Sequence, residues 1–194
     1  MSPALAPEEQ ARVLIDEQLT RAGWHVCDRN EIDLVNQTGN AVREVIMKPD
    51  HGRADYLLYV DKKVVGVIEA KSIGTPLTGV EWQSAMYAVG LPEAYRPQAV
   101  LKDDRLPFVF EASGSETQYT NGFDPAPRAR KIFNFPKPET LARIIRESLE
   151  HPEAPTWRGR IQNMPPYEHY DLRPASMIAV GAIEKSLAAG THSR

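Results

Sequence analysis

The chain has 194 residues, of which 42% are hydrophobic and 25% charged, enough for one domain with a sizeable core plus an extension. A formal net charge of −3 excludes nucleic-acid binding by bulk electrostatics, so any DNA contact has to come from a local basic patch or a larger assembly. The single Cys27 excludes an internal disulfide, and the five scattered histidines do not have zinc-site spacings. No apolar run approaches the roughly 20 residues needed to cross a bilayer. The start MSPALAPEEQ has no basic flank and apolar core of a leader, so a cytoplasmic protein with no membrane role is expected.

In chain order, PEEQARVLIDEQLTRAGW predicts an amphipathic helix. Pro7 suits its first turn, Glu8 and Glu9 complement the positive end of its dipole, Ala11, Leu14, Ile15, Leu19 and Ala22 form the apolar stripe, and Gly23 ends it. Periodicity weakens from Trp24 to Asn40, where NQTGN reads as a turn, and Val42 to Met47 predicts a short strand. ADYLLYV and VVGVIEAK, separated by Asp61, Lys62 and Lys63, predict a hairpin apolar on both faces and therefore central in a sheet. Thr78 and Glu81 stand at capping-box spacing and open a helix that Gly90 and Pro92 close. PQAVLK, LPFVFEAS and QYTN predict further strands, the last within a turn-rich segment, and PKPETLARIIRESLE another helix. His151 to Pro174, dense in Pro and aromatic residues, reads as an ordered linker, and Ala175 to Ala189 as a closing helix.

The hairpin carries the candidate chemistry. A three-residue turn at Asp61, Lys62 and Lys63 pairs Val60 with Val64 and sets Asp55 opposite Glu69 on one face. Alternation puts Lys71 on that face too. A two-residue turn shifts this register by one. Two carboxylates this close repel unless a cation lies between them, and hard oxygen donors suit Mg²⁺, with the Ala70 carbonyl as a third donor. Such an ion polarises a phosphate and lowers the pKa of a bound water, while Lys71 orients that water or neutralises developing charge. The competing reading is a sheet rim meeting solvent, where acids and lysines also collect. On the next helix Gln83 and Tyr87 share a face, suited to a phosphate or a water, or else to solvent and core respectively.

Taken in order, Asp55, Glu69-x-Lys71 and Gln83-x-x-x-Tyr87 resemble the PD-(D/E)XK nucleases of the RecB-like branch with its QxxxY motif. Nearly the whole chain, from PEEQARVLIDEQLTRAGW through TGVEWQSAMYAVGLP to PETLARII, looks like the N-terminal nuclease domain of the restriction (R) subunit of type I restriction-modification enzymes. The resemblance implies an α/β, restriction-endonuclease-like fold with a mixed central sheet flanked by helices and a C-terminal linker. It implies Asp55, Glu69 and Lys71 as the nuclease core, Gln83 and Tyr87 as the accessory motif, and an acid of the first helix, best matched by Glu8, near the site. Mg²⁺ is the implied cofactor, double-stranded DNA the substrate, and the modification and specificity subunits the partners. ATP belongs to the full-length subunit only, because no G-x-x-x-x-G-K-[ST] loop occurs here.

DLRPASMIAVGAIEKSLAAG resembles the element that opens the motor of such translocases. The expected organisation is therefore an endonuclease domain over residues 1–150, a linker over 151–171 and the start of a motor over 172–194. Arg128, Arg130 and Lys131 are candidate phosphate contacts, or a solvated turn, and Arg53 beside Gly52 is another candidate. The expected reaction is Mg²⁺-dependent cleavage of DNA without sequence recognition by this domain. The alternatives are a stand-alone nuclease of the same fold in repair or on a mobile element, and a non-catalytic docking domain.

Overall fold

The computed structural model describes residues 6–77, 86–165 and 171–189, the last three by backbone alone. Helix α1 (Pro7–Arg21) forms where expected: Glu9 Oε2 accepts the Ala6 N–H at 3.2 Å, and Gly23 supplies a φ of +92° just past the end. Its buried stripe is Ala11, Ile15 and Leu19, all fully inaccessible. Leu14 stays at the margin.

Seven strands follow in one sheet whose spatial order is the chain order: β1 (His25–Cys27), β2 (Gly39–Ile46), β3 (Arg53–Val60), β4 (Lys63–Ala70), β5 (Phe108–Ala112), β6 (Thr117–Asn121) and β7 (Arg130–Ile132). The sheet is mixed, with β1 parallel to β2 and β4 parallel to β5, and every other pair antiparallel. The two apolar strands β3 and β4 are therefore central, as the burial of both their faces requires. On one face Leu57, Tyr59 and Val67 pack with Ala88, Leu91 and Leu106, so the crossover between β4 and β5 covers them. Elsewhere in the core Phe110 stacks on Tyr119 with centroids 4.7 Å apart. Burying each such side chain contributes about 1.5–3 kcal/mol. Gly66 is needed at the tight β4/β5 contact, since a Cβ there would lie 2.3 Å from the Phe108 carbonyl oxygen.

The β3/β4 turn differs from expectation. Val60 pairs with Lys63 and Tyr59 with Val64, so the turn has only Asp61 and Lys62, both at positive φ (+46° and +69°). That is the backbone of a two-residue hairpin turn matching strand twist. A bulge follows at once: Leu58 pairs with Gly66, Leu57 with Val67 and Tyr56 with Ile68. The bulge takes up the residue that the shorter turn released, and the register expected for the acidic end of the hairpin is restored.

Other departures are local. Residues 96–102 do not form a strand: Arg96–Gln98 is a 3-10 turn opened by Pro97, and only Ala99 bridges to Val64. Strands β1 and β7, three residues each, carry too little pattern to be read. Residues 86–89 are helical, and the start of the helix expected from Thr78 lies outside the described residues.

The chain divides into two compact units. The first, residues 1–122 and 127–143, holds α1, the whole sheet and the start of α2 (Pro138–Glu150). The second, residues 123–126 and 144–194, holds α3 (Trp157–Gln162) and α4 (Pro174–Ala189). Within it the Thr156 side chain caps α3 by accepting the Gly159 N–H at 3.3 Å, and Arg158 pairs with buried Asp124 at 3.3 Å. The segment read as a linker thus contains a short helix, six residues being too few for a clear period.

Candidate active site

At the end of the β3/β4 ladder three of the expected residues converge. One step beyond the last backbone pair, Tyr56 with Ile68, Asp55 stands across from Glu69. Asp55 Oδ2 accepts the Ala70 N–H at 2.8 Å, so its carboxylate satisfies a strand donor where the ladder stops. Lys71 Nζ lies 2.7 Å from Glu69 Oε1, confirming that alternation brings both to one face. Glu69 is 5% exposed, its Oε2 is buried, and among the described residues its carboxylate has Lys71, the Tyr87 hydroxyl and the Asp55 carboxyl as polar neighbours. A solvent-facing rim does not bury a carboxylate in this way.

Burial pushes the Glu69 carboxyl above its usual range; the Lys71 hydrogen bond and charge pull it back, Asp55 adds to the rise, and the net direction is up. Tyr87 is half-buried, and its phenol is raised by burial, then by the charges of Glu69 and Asp55 and by its hydrogen bond with the Glu69 carboxylate. The loop before β3 helps to hold it: Gly52, at φ +71°, runs against the Tyr87 ring, with an added Cβ 3.8 Å from Cε1. Gln83 and its neighbour Trp82 lie outside the described residues.

Three residues at the site were not singled out in the sequence. Arg12 of α1 donates from Nη2 to Asp55 Oδ1 at 2.5 Å and from Nη1 to Glu44 Oε1 at 2.9 Å. Glu44, at φ +54°, stands between the β2/β3 pairs Arg43 with Tyr56 and Val45 with Ala54, and hence across from Asp55. Glu111 of β5 is the register partner of Glu69 and is 2% exposed. Glu44, Asp55, Glu69 and Glu111 thus form a row across four adjacent strands. The signal available for Glu111 was an acid inside the apolar run FVFEA, the same signature as Glu69 in VIEA. For Arg12 it was a basic residue one helical turn after Glu8 on a single face. Glu8 itself is exposed on that face.

The candidate DNA contacts are spread out. Arg53 is largely exposed and pairs with Glu44 at 3.2 Å. Arg128 lines a pocket of about 570 Å³ together with Glu111, Lys102 and Arg105. Arg130 Nη1 donates to the Arg128 carbonyl at 3.4 Å, and Lys131 pairs with Glu116 at 2.5 Å. Lys131 is in register with Gln118, and Gln118 with Glu111. Lys131 therefore continues the acidic row about 14 Å from Glu69, three strand spacings away.

The donors fit a divalent cation that prefers oxygen. Asp55 and Glu69 supply carboxylates, the latter buried, and the Ala70 carbonyl shares the strand edge of its N–H, which faces Asp55. Among the described residues no three His, Cys, Asp or Glu side chains converge as a metal cage. Two carboxylates with positions left to water and phosphate are the requirement of Mg²⁺ rather than of a closed structural site.

No protein-family model matches the chain, and no curated protein does. Among solved structures, the chain is similar to a fragment of a candidate HsdR subunit of a type I restriction enzyme from Vibrio vulnificus YJ016, with TM-score 0.51 and 19% identity. The match covers 97% of this chain and 34% of that one, so the chain spans about a third of the length of that structure. At this identity the likeness concerns the fold: a mixed α/β architecture with a seven-stranded sheet and helices, consistent with a restriction-endonuclease-like fold. Among the described residues no helix is long and apolar enough to cross a membrane.

Proposed function

We propose that the chain is the Mg²⁺-dependent endonuclease domain of a type I restriction subunit, hydrolysing DNA phosphodiester bonds within a complex of modification and specificity subunits. In this reading residues 1–150 are the nuclease, 151–171 a linker and 172–194 the opening of an ATP-driven motor that these residues do not include. The observation that carries it is the buried Glu69 carboxylate set against Asp55, Lys71 and the Tyr87 hydroxyl at the end of the central hairpin. Here two carboxylates are held side by side at depth, and such a pair is a place for a cation.

Asp55, Glu69 and the Ala70 carbonyl would hold a divalent ion, which when bound would supply Lewis-acid polarisation of the phosphate and lower the pKa of water at the site. The chain's own residues do the rest. Lys71, fixed by Glu69, presents a cation where negative charge builds on the phosphate oxygens. Tyr87, next to the acidic pair, donates its hydroxyl to the DNA backbone, with Gln83 as its companion. Glu8, one helical turn before Arg12 on α1, is an accessory acid. Arg53, Arg128, Arg130 and Lys131 contact flanking phosphates, which position the duplex without reading its sequence. Lys102 and Arg105, on the pocket that Arg128 lines, extend this set.

The test is plasmid nicking by the reconstituted complex with Mg²⁺, comparing wild type with Asp55→Ala and Lys71→Ala. Both substitutions are expected to reduce cutting at least a hundredfold, the scale of removing one transition-state charge contact. Unchanged cutting by either variant contradicts the assignment.

A further inference from the structure

We propose that Arg12 is a resident counter-ion of the Asp55 carboxylate, and that a divalent ion entering the site must shift it onto Glu44. The affinity of the site for metal is then set by competition with the protein's own guanidinium. This inference rests on the reading of Asp55 and Glu69 as metal ligands.

The geometry is specific. The Arg12 fork bridges two acids that face each other across β2 and β3, Asp55 at 2.5 Å and Glu44 at 2.9 Å. Fork geometry and permanent charge make Arg the side chain best able to stand in for a cation between carboxylates. Burial acts against the charge of Arg12, but Asp55 and then Glu44 outweigh it and the guanidinium is held more firmly protonated than usual. A dication bonded to the same carboxylate would meet this fixed positive charge at contact distance, so the two cannot share Asp55 at full strength.

The surroundings give Arg12 somewhere to go. It is 38% exposed and lines an open cleft of about 350 Å³ with Asp55, Glu44 and Arg43. Glu44 is 46% exposed and already receives Arg53 at 3.2 Å, so it gathers both arginines as Asp55 is taken. Its left-handed φ of +54° costs a non-glycine residue energy, and retaining it keeps an acid directly across from Asp55. Of the other charges of the cleft, Arg43 is committed to Asp16 at 2.8 Å and to Asp28 at 3.2 Å, while Arg29 adds a further positive charge to its wall. A simple staple between α1 and the sheet needs none of this, because Ala11, Ile15 and Leu19 already seat the helix in the core.

The test is Mn²⁺ binding to the full chain without DNA, read by electron paramagnetic resonance of the free ion, with thermal melting to verify folding. Arg12→Gln is expected to tighten Mn²⁺ binding roughly tenfold, the equivalent of one charge-assisted hydrogen bond. Arg12→Lys, which keeps the charge but loses the fork, is expected to fall between Arg12→Gln and wild type. Glu44→Gln removes the place of retreat and is expected to weaken binding. Unchanged or weaker binding in Arg12→Gln, with wild-type binding still abolished by Asp55→Asn, overturns the counter-ion role and leaves the metal site standing. Absence of any Asp55-dependent Mn²⁺ binding, in wild type and Arg12→Gln alike, overturns both.

Discussion

Asp55 Oδ2 accepts the Ala70 N–H at 2.8 Å, so a side chain of β3 stands in for the backbone carbonyl that would otherwise continue the ladder into β4. The same carboxylate receives Arg12, and only 11% of its side chain is exposed. Asp55 therefore has a structural share in the site as well as a chemical one. Asp55→Ala leaves the partly buried Ala70 N–H without this acceptor, at a cost of about 1–3 kcal/mol, while the more exposed Arg12 keeps Glu44. The melting temperature is expected to fall, by roughly 2–4 °C per kcal/mol for a chain of this size. Asp55→Asn retains one acceptor oxygen and is expected to lose less. Thermal melts of the two variants check the order.

Glu69 gives a pH signature. Its carboxyl is raised above 4.5 by burial and Asp55, against the pull of Lys71, so the folded state holds a proton that the unfolded state releases. The stability associated with this group is full below about pH 4.5 and is lost as pH rises through the higher folded value. Glu69→Gln removes the ionising group. The variant is expected to melt above wild type at pH 7 and to lose that advantage as pH falls below 4.5. Added Mg²⁺ is expected to narrow the gap at pH 7 by stabilising only wild type. Melts over pH 4–8, roughly the range that brackets this titration, check it.

The β3/β4 turn offers a stability test away from the chemistry. Asp61 and Lys62 both sit at positive φ, a conformation that costs most residues about 1–2 kcal/mol and that Asn-Gly adopts readily. Asp61→Asn combined with Lys62→Gly is expected to raise the melting temperature by a few degrees. DNA cutting by the complex is expected to stay at the wild-type level, since the Leu58/Tyr59 bulge isolates the site's register from the turn.

The turn also illustrates how far the sequence could be read. The facing of Asp55 and Glu69 was legible, but through a three-residue turn that does not exist; a shorter turn and a bulge compensate, and neither leaves a mark in an apolar run with both faces buried. Helices α1 and α2 were legible because an opening Pro, an acid in the first turn and an apolar stripe coincide in them. PQAVLK misled because its apolar residues pack against the sheet through a single bridge without joining a ladder. Glu111 and Arg12 escaped notice because their roles depend on which strand lies beside which, and on a helix passing the end of the sheet. Long-range pairing of that kind has no local periodicity.

The central claim is that the Asp55 and Glu69 carboxylates hold a divalent ion. Anomalous diffraction from crystals soaked in Mn²⁺ tests it most directly. The account predicts one strong peak bridging Asp55 and Glu69, within about 2.0–2.6 Å of an oxygen from each as expected for hard divalent ions, and its disappearance in Asp55→Asn. A soaked crystal with no peak there, or with the ion bound only at other acids, contradicts it.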